Sequence, residues 1–538
     1  MLRDVLERAT TTAQATAAIA RSGLLAPARP SALARGAIAV QRRGPFAGAV
    51  VAAGTRWGDR PALTDELGTL TAAELDRRSN ALAHSWTAAG IRAGDGVAIL
   101  CRNHRGFLDA TYAAAKLGLR SVYMNTEFAG PQIRDVCERE RVSVLVFDEE
   151  YDDRAPDFAD HHFRAWTDSG EAGGAEATLE ELIAAGDPSP VPVPDEMPTV
   201  VMLTSGTTGT PKGAPRQEVG PVTAVGALLD RVPFRTKECT YIAPPMFHSL
   251  GFASLTLAIS MGTTVICRRR FDPEGFLAGI AEHRVTAAVV VPAMLQRTLE
   301  LGRERIAEFD TSSLRIIFCG GAQLPGAVAT EVLDVFGDVL YVLYGSTEVA
   351  YATLSTPADH RAAPTTVGRP ALGAQVRLLD EQGREVPPGQ TGRIFVSNGI
   401  EFEGYTDGQT KEVIGGVMSS GDVGHFDEEG RLYIDGRDDD MIVSGGENVF
   451  PQEVEELLIA HERVSDAAVI GVPDEDFGAR LCAFVVAAGE APGAEELKAY
   501  VKQNLARYKV PREIRFVDEL PRNATGKVLK RKLAERVA

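Results

Sequence analysis

The chain has 538 residues, of which 44% are hydrophobic and 24% charged, and 56 basic against 74 acidic side chains give a net charge of −18. This composition excludes wholesale disorder, and the acidic charge argues against a general binder of nucleic-acid phosphates. No apolar run approaches the roughly 20 residues of a membrane span, the N-terminus lacks a signal-peptide pattern, and the six cysteines form no CxxC pair. These features predict a cytoplasmic enzyme without a disulfide framework or a zinc site.

Residues 1–45 differ from the rest of the chain because they carry seven arginines and only two acidic residues. We predict a basic N-terminal helical segment over this range. Two interpretations stay open. One is a solvated pair of helices, and the other is a weak peripheral contact with an anionic membrane, which would suit an enzyme that handles lipids.

Residues 46–437 alternate short β-branched runs with helical segments. This pattern predicts a large α/β lobe of several subdomains, with mainly parallel sheets covered by helices. The apolar stretch 46–53 is interpreted as core or strand. The acidic segment 149–198, rich in Gly and Pro, interrupts the pattern. We expect it to follow the surface with one short helix at 178–185 and with His161 and His162 in an exposed loop.

Residues 438–538 are predicted to form a small α+β C-terminal domain. The segment 449–460 is typical of a helix, because Pro451 stands at its start, acidic residues follow, and Val454, Leu457 and Leu458 share one face. Strand-like segments and a second helix complete a module of about 100 residues, which is large enough to fold on its own.

The strongest chemical signal follows the predicted strand 199–203. Residues 204–213 read TSGTTGTPKG, in which glycines let backbone N–H groups face an anion, hydroxyls add donors, and Lys212 adds a positive charge. This is not the P-loop of GTPases, because Gly213 follows Lys212 where that loop needs Ser or Thr to hold magnesium. A carboxylate ligand for a metal must therefore come from elsewhere in the chain.

The chain resembles the adenylate-forming superfamily, which includes acyl-CoA synthetases, peptide-synthetase adenylation domains and beetle luciferases. Further segments match the family's motifs in order and spacing, and the resemblance covers about residues 45–538. They read YGSTE at 344–348, SGD at 420–422, GRDDDMI at 436–442, SGGEN at 444–448 and PRNATGK at 521–527. The resemblance implies a large lobe with a small mobile C-terminal domain, and ATP, Mg²⁺ and CoA as cofactor and co-substrates.

The resemblance also implies roles in nucleotide binding. Thr204 and Glu348 would hold Mg²⁺, an ion that prefers oxygen ligands. Tyr344 would stack on adenine, and Asp422, assisted by Arg437, would accept hydrogen bonds from the ribose hydroxyls. The phosphate loop would contribute Ser205, Gly206, Thr207, Thr208, Gly209, Thr210 and Lys212. The base pocket and the second motif would contribute Gly321, Ala322, Gln323, Gly345, Ser346 and Thr347.

Lys527 is implied to act in the first step, in which it would bridge a carboxylate oxygen and the α-phosphate as the acyl-adenylate forms. It must then leave so that a thiol can enter, and the resemblance implies a domain rotation about a hinge at Asp439. Gly445 and Gly446 would line the tunnel for the pantetheine arm. The implied catalytic residues are Lys527, Glu348, Lys212 and His248.

The acid would bind in an apolar pocket. We predict that Phe247, His248, Gly251, Gly320 and Val349 line it. His248 matches a family position that steadies the carboxylate, although a lone histidine in an apolar stretch is more often a packed core residue. The uncharged lining favours a medium- or long-chain fatty acid, and an aryl or other hydrophobic acid stays open.

Free CoA is the predicted acceptor, because no phosphopantetheine-attachment motif follows the small domain. An acyl-AMP ligase that loads a carrier protein stays open, and so does a homodimer. A catalytically silent nucleotide sensor is the alternative from another class. The presence of Lys527, Glu348, Asp422 and Lys212 argues against it. Relative to the family pattern, the SGD motif lacks a preceding aromatic pair and GAPRQEVG follows the phosphate loop, but neither departure removes a catalytic group.

Overall fold

The structure is a computed structural model in the α/β class. Its described residues are 2–25, 30–155, 159–168, 177–204, 212–216, 222–400, 402, 404–406, 408, 410–438, 442–444, 447–474, 478–505, 509–523 and 526–537. Among these residues, no helix is both long enough and apolar enough to cross a bilayer.

Helices and strands alternate along most of the chain. The helices are α1 (Leu2–Arg21), α2 (Pro30–Trp57), α3 (Ala72–Ala88), α4 (Arg105–Leu117), α5 (Gly130–Arg139), α6 (Leu179–Ala185), α7 (Val222–Arg231), α8 (Ser249–Ser260), α9 (Pro273–His283), α10 (Pro292–Leu299), α11 (Arg303–Ile306), α12 (Gly326–Phe336), α13 (Pro357–Ala362), α14 (Pro451–Ile459), α15 (Ala494–Asn504) and α16 (Lys530–Ala534). The strands are β1 (Pro61–Asp65), β2 (Gly68–Thr71), β3 (Gly96–Leu100), β4 (Arg120–Tyr123), β5 (Val142–Asp148), β6 (His161–Trp166), β7 (Thr199–Thr204), β8 (Lys212–Arg216), β9 (Cys239–Ile242), β10 (Thr264–Ile266), β11 (Ala287–Val290), β12 (Ile316–Gly320), β13 (Leu340–Tyr344), β14 (Thr353–Ser355), β15 (Arg369–Pro370), β16 (Gln375–Leu379), β17 (Gly392–Ser397), β18 (Val413–Ile414), β19 (Val417–Phe426), β20 (Leu432–Arg437), β21 (Ile442–Ser444), β22 (Glu447–Val449), β23 (Val464–Asp474), β24 (Gly478–Ala487) and β25 (Glu513–Phe516).

The chain divides into two compact units. The first contains Met1–Val290, Glu300–Phe318 and Gly399–Thr410, and the second contains Val291–Leu299, Cys319–Asn398 and Lys411–Ala538. Within the first unit, one sheet has the order β6-β5-β3-β4-β7-β8 and is parallel except for the β7–β8 pair. The first unit also contributes five strands to another sheet. Among them, β11-β9-β10-β1 are neighbours in parallel orientation, and β2 pairs antiparallel with β1 at the edge. The predicted helix-covered parallel sheets are confirmed.

The N-terminal helices are packed parts of the first unit. Ala15, Ala18 and Ile19 of α1 are buried, and a Cβ built on Gly226 of α7 would lie only 2.3 Å from Ala15 Cβ, so the two helices approach closely. The predicted helices are present, but α1 is not simply solvated, because its small residues let it lie flat on α7. Helix α2 bends at Gly44, where φ is 73°.

The apolar stretch 46–53, interpreted as core or strand, belongs to the core and lies within helix α2, where Ala47, Ala49, Val50 and Ala53 are buried. One expectation for local structure is corrected. His161 and His162 lie on β6, a half-buried strand parallel to β5, and not in an exposed loop. The short helix expected at 178–185 is confirmed as α6, which begins with a capping box between Thr178 and Glu181.

The second unit contains an antiparallel sheet that the sequence pattern did not indicate. Its order is β16-β17-β19-β18, with β20 paired to β19. Short turns join β18 to β19 and β19 to β20, so these consecutive strands pair antiparallel, and β17 pairs with the other edge of β19. In this sheet β19 carries Asp422 and β20 carries Arg437, two of the residues predicted to bind the nucleotide.

The C-terminal part of the second unit is the predicted small α+β domain. Strands β22-β21-β24-β23 form its sheet, with β25 parallel to β24. Helices α14 and α15 pack on this sheet through buried residues that include Val454, Leu458, Leu497 and Val501. The helix α14 begins at Pro451, as the sequence predicts.

Candidate active site

The phosphate loop is described only at its two ends. Thr204 ends β7 and pairs across the antiparallel ladder with Lys212, which begins β8. The predicted contacts from Ser205 to Thr210 lie outside the described residues, as do the side chains of Thr204 and Lys212. Their roles therefore stay predictions.

Three predicted nucleotide-binding residues meet in the second unit. Asp422 and Arg437 are register partners on β19 and β20, so the two side chains lie on the same face. Arg437 Nη1 donates to Asp422 Oδ1 at 3.2 Å, and the Tyr344 hydroxyl donates to Asp422 Oδ2 at 2.6 Å. Tyr344 ends β13 and was expected as an adenine platform. Its hydroxyl also orients the carboxylate, a role that sequence reasoning missed.

The electrostatics of this cluster favour a carboxylate held in position for hydrogen bonding. Burial raises the pKa of Asp422 above its ordinary value, while Arg437, the Tyr344 hydroxyl and Lys527 act in the opposite direction. Burial and the negative charge of Asp422 raise the pKa of Tyr344 well above its ordinary value, so the hydroxyl keeps its proton and remains a donor. Only 14% of the Asp422 side chain is exposed.

The residues around Asp422 show why the local sequence is SGD. Ser420 Oγ accepts a hydrogen bond from the Asp422 backbone N–H at 3.1 Å and lies 3.1 Å from the Tyr344 hydroxyl. Gly421 has φ of 82°, a conformation that favours glycine. A Cβ there would approach Arg437 Nη2 to 3.2 Å and disturb the ion pair.

Glu348, the predicted metal ligand, lies in a tight turn after β13. Ser346 Oγ donates to Glu348 Oε2 at 2.8 Å and accepts from the Glu348 and Val349 backbone N–H groups at 3.2 and 3.3 Å. Ala350 closes the turn with a left-handed φ of 57°, which is strained for a residue with a side chain. The turn fixes a carboxylate oxygen of the type that Mg²⁺ prefers.

Lys527 ends a hydrogen-bonded turn, and we call its described residues, 521–523 with 526–527, the lysine turn. Asn523 Oδ1 accepts the Lys527 backbone N–H at 2.9 Å, and Arg522 forms an ion pair with Asp466 at 2.6 Å. Gly526 has φ of 80°, and a Cβ on it would lie 2.8 Å from the Cβ of Ala293 in α10. The turn is thus seated against α10 with the exposed Lys527 close enough to Asp422 to influence its pKa.

The predicted base-pocket segment follows β12 directly. Gly321 has φ of 86°, and Ala322 and Gln323 are half-buried. The Gln323 side-chain amide donates to the carboxylate of Glu456 on α14. No sequence pattern signals this contact, because 133 residues separate the two partners.

The predicted acyl-pocket residues occupy varied surroundings. Phe247 is buried, and the ring centroids of Phe247 and His248 are 4.5 Å apart. Burial lowers the pKa of His248 to about 4, so the imidazole is neutral at pH 7, and its Nε2 has no hydrogen-bond partner in the described part of the chain. Gly251 and Gly320 are buried, while Val349 packs into a core cluster of the second unit.

The predicted hinge and thiol tunnel, like the centre of the phosphate loop, have no structural description. Asp439, Gly445 and Gly446 all lie outside the described residues. The corresponding roles stay predictions that rest on the family resemblance.

Asp422, Glu348 and Lys527, which are predicted to bind ribose, Mg²⁺ and the reacting groups of an adenylate-forming enzyme, all lie in the second unit. Comparison with known proteins supports this class. The family profile described as AMP-binding enzyme matches residues 50–406, and that described as AMP-binding enzyme C-terminal domain matches residues 453–527. The chain belongs to the AMP-binding enzyme family.

The most informative relatives differ in substrate and acceptor. Feruloyl-CoA synthase from Amycolatopsis sp is 36% identical over 476 residues, covering 87% of this chain and 94% of its own. The fatty acid–[acyl-carrier-protein] ligase ScoC from Streptomyces coeruleorubidus is 32% identical over 491 residues, covering 88% and 93%. The solved structure of the amide bond synthetase McbA from Marinactinospora thermotolerans gives a TM-score of 0.81 at 29% identity, covering 93% of this chain and 99% of that one.

These findings place the protein among the AMP-forming acid–thiol ligases of the acyl-CoA synthetase branch, which use ATP, Mg²⁺ and CoA. The predicted family, fold class and cofactors are confirmed. The residues described above fit these groups: Asp422 offers a carboxylate for ribose hydroxyls, and Glu348 offers an oxygen for Mg²⁺.

Proposed function

We propose that this acyl-CoA synthetase activates a hydrophobic carboxylic acid, first of all a medium- or long-chain fatty acid, and transfers the acyl group to CoA with release of AMP and pyrophosphate. The observation that carries the proposal is the meeting of Tyr344, Asp422 and Arg437 with the lysine turn in one unit. That arrangement would hold the ribose while Lys527 neutralises the charge that develops as the acid oxygen attacks the α-phosphorus.

The residues each supply one part of this chemistry. Asp422 accepts hydrogen bonds from the ribose, and Tyr344 and Arg437 keep its carboxylate oriented. Glu348 would hold Mg²⁺, which offsets phosphate charge when bound. A neutral His248, whose Nε2 is buried and without a described partner, would donate a hydrogen bond to the acid's carboxylate.

The identity of the acid rests on the apolar character of the residues assigned to its pocket. Phe247, one of these residues, is buried and uncharged, which suits a hydrophobic acid better than an amino acid. The relatives include one ligase named for fatty acids and one named for a ring-bearing acid, feruloyl-CoA synthase, so an aryl acid is the second candidate. CoA is the proposed acceptor, with a carrier protein as the alternative.

Mass spectrometry of the products separates these candidates. The protein is incubated with Mg·ATP and a mixed panel of fatty, aryl and amino acids, with and without CoA. We expect fatty acyl-CoA as the main product. An aryl-CoA product would assign the second substrate class, and acyl-adenylate that persists in the presence of CoA would overturn CoA as acceptor.

The role of Lys527 is tested by separating the two half-reactions. Lys527→Ala should slow adenylation by roughly 10²–10³, the range for loss of one preorganised group at a developing charge, yet still convert supplied acyl-adenylate and CoA to thioester. Lys532→Ala is the matched control, because Lys532 is an exposed lysine on the neighbouring helix α16. Equal loss in both half-reactions would refute the assignment.

Residues 1–45 are proposed to make a weak peripheral contact with an anionic membrane. Ile38 and Val40 are 49% and 36% exposed on α2, beside the exposed Arg35 and Arg42. Flotation with anionic liposomes should be lost in the Arg35→Glu/Arg42→Glu variant. If this variant still floats with the liposomes, the proposed membrane contact is wrong.

A cytoplasmic location and a homodimer stay predictions, to be checked by cell fractionation and sedimentation velocity.

A further inference from the structure

The contact between Gln323 and Glu456 joins two functionally different parts of the second unit. Gln323 lies in the segment assigned to the base pocket, and Glu456 lies on α14 of the small C-terminal domain. The Gln323 amide donates to the Glu456 carboxylate, and both side chains are partly buried. A side-chain contact at this position ties the small domain directly to the nucleotide-binding segment.

Glu456 differs from the other acidic residues of its helix in the partner it meets. Glu453 forms an ion pair with Lys509, and Glu455 pairs with Lys530 at 3.1 Å. Glu456 instead meets a neutral amide, although it faces Glu453 and Glu455 on its own helix and Asp435 on β20. Such a contact is well suited to a group that must be released, because no strong ion pair has to be broken.

An ion pair links helix α14 to the segment that carries Lys527. Lys530 stands three residues after Lys527 and pairs with Glu455, the immediate neighbour of Glu456. Gly526 of the lysine turn packs closely against Ala293 of α10. A residue that holds α14 in place therefore also holds Lys527 near Asp422.

We propose that Glu456 is a positioning residue which, through Gln323, latches the small domain in the arrangement required for adenylation. This inference rests on the proposed function, in which the small domain must leave after the first step. The latch (Gln323 and Glu456) forms while Lys527 serves adenylation and opens before the thiol enters.

The charge of Glu456 gives the latch a pH dependence. Burial raises the pKa of Glu456 to about 7; the hydrogen bond from Gln323 acts in the opposite direction, and the neighbouring acids Glu455, Asp435 and Glu453 add to the rise. A raised carboxyl pKa means that the latched arrangement binds the proton more tightly than an arrangement in which Glu456 is exposed. The latch is therefore firmest below the ordinary carboxyl range and weakens as pH rises through about 7.

The test measures both half-reactions at saturating ATP from pH 5 to 8, which spans the range between the ordinary carboxyl pKa and about 7: acid-dependent ATP–pyrophosphate exchange, and thioester formation from supplied acyl-adenylate and CoA. Glu456→Ala should slow adenylation up to about tenfold, the upper end of the effect of one lost hydrogen bond between neutral groups, and leave thioester formation unchanged or faster. Glu456→Gln keeps a neutral acceptor for Gln323, so it should retain adenylation and flatten the pH dependence of the ratio between the two rates.

Controls separate the latch from a general structural effect. Glu462→Gln changes an exposed glutamate just beyond α14 and should behave as wild type. Gln323→Ala should slow adenylation as Glu456→Ala does, and the double variant should be no slower than either single one. Equal loss of both half-reactions in Glu456→Ala, no rescue by Glu456→Gln, or additive effects in the double variant would overturn the proposal.

A second measurement needs no substrate. Hydrogen exchange of residues 451–459, followed at one pH, should be faster in Glu456→Ala than in wild type and Glu456→Gln. If the wild type forms no product from any acid, the proposed function fails while this measurement still tests the latch. Identical exchange in all three proteins would overturn the latch itself.

Discussion

Removal of the Tyr344 hydroxyl tests how the ribose carboxylate is held. The Tyr344→Phe variant keeps the ring but loses the 2.6 Å hydrogen bond to Asp422 Oδ2. A hydrogen bond to a charged group contributes about 1.5–3 kcal/mol, so we expect the KM for ATP to rise roughly 10- to 100-fold. The kcat should change less, because Lys527, the lysine proposed to act in adenylation, is untouched.

The same variant should change the pH profile. Burial already raises the pKa of Asp422, and the Tyr344 hydroxyl is one of the groups that oppose this rise. Without the hydroxyl the pKa should rise further, so the carboxylate is protonated at a higher pH. The acidic limb of kcat/KM for ATP should therefore move to higher pH in Tyr344→Phe.

Steady-state kinetics of ATP between pH 5 and 9 provide the measurement, with Tyr351→Phe as the matched control. The Tyr351 hydroxyl lies 3.5 Å from the Asn398 carbonyl oxygen and makes no described contact with Asp422. The control should leave both KM and the acidic limb in place. Equal changes in the two variants, or none in Tyr344→Phe, would refute the assignment.

Three further substitutions probe other parts of the molecule. Gly526→Ala should cost about 1–2 kcal/mol of backbone strain and displace the lysine turn, so adenylation should fall at least tenfold. Gly489→Ala is the control and should retain activity, because Gly489 has a similar φ of 85° but a Cβ there would meet no other atom. Ile19→Ala should lower the free energy of unfolding by about 2–5 kcal/mol in denaturant titration, as expected for a buried isoleucine, whereas Ile38→Ala, 49% exposed, should change it by less than about 0.5 kcal/mol. His248→Ala should raise the KM for the acid about tenfold and leave the KM for ATP unchanged, and since the pKa of His248 is about 4, the wild-type profile should show no histidine limb between pH 6 and 9.

The sequence predicted much of the fold where pattern and chemistry coincide. Helix α14 was predicted because Pro451, early acids and an apolar face all point to the same boundary. For the stretch 46–53 the sequence left core or strand open, because a short Ala- and Val-rich run has no clear period, and the structure places it in the core as part of helix α2. The packing of α1 on α7 was missed because alanine, which forms much of the contact, is only weakly hydrophobic and does not mark a buried helix face clearly in the sequence.

In the candidate site, the sequence predicted which residues take part but not which of them contact each other. Asp422, Arg437 and Tyr344 were each named from motifs, but their hydrogen bonds follow from strand register and from the end of β13, which motifs do not encode. The contact of Gln323 with Glu456 was not predictable, because neither residue stands in a pattern that refers to the other.

The pairing of Asp422 with Arg437 also limits changes in chain length. Successive residues of a strand point to opposite faces, so one residue inserted within β20 would turn Arg437 away from Asp422 while the sheet still formed. The turn at residues 427–431 carries no such requirement and can absorb an insertion as a longer loop. Homologous chains should therefore vary in length at this turn and keep a constant number of residues along the paired strands.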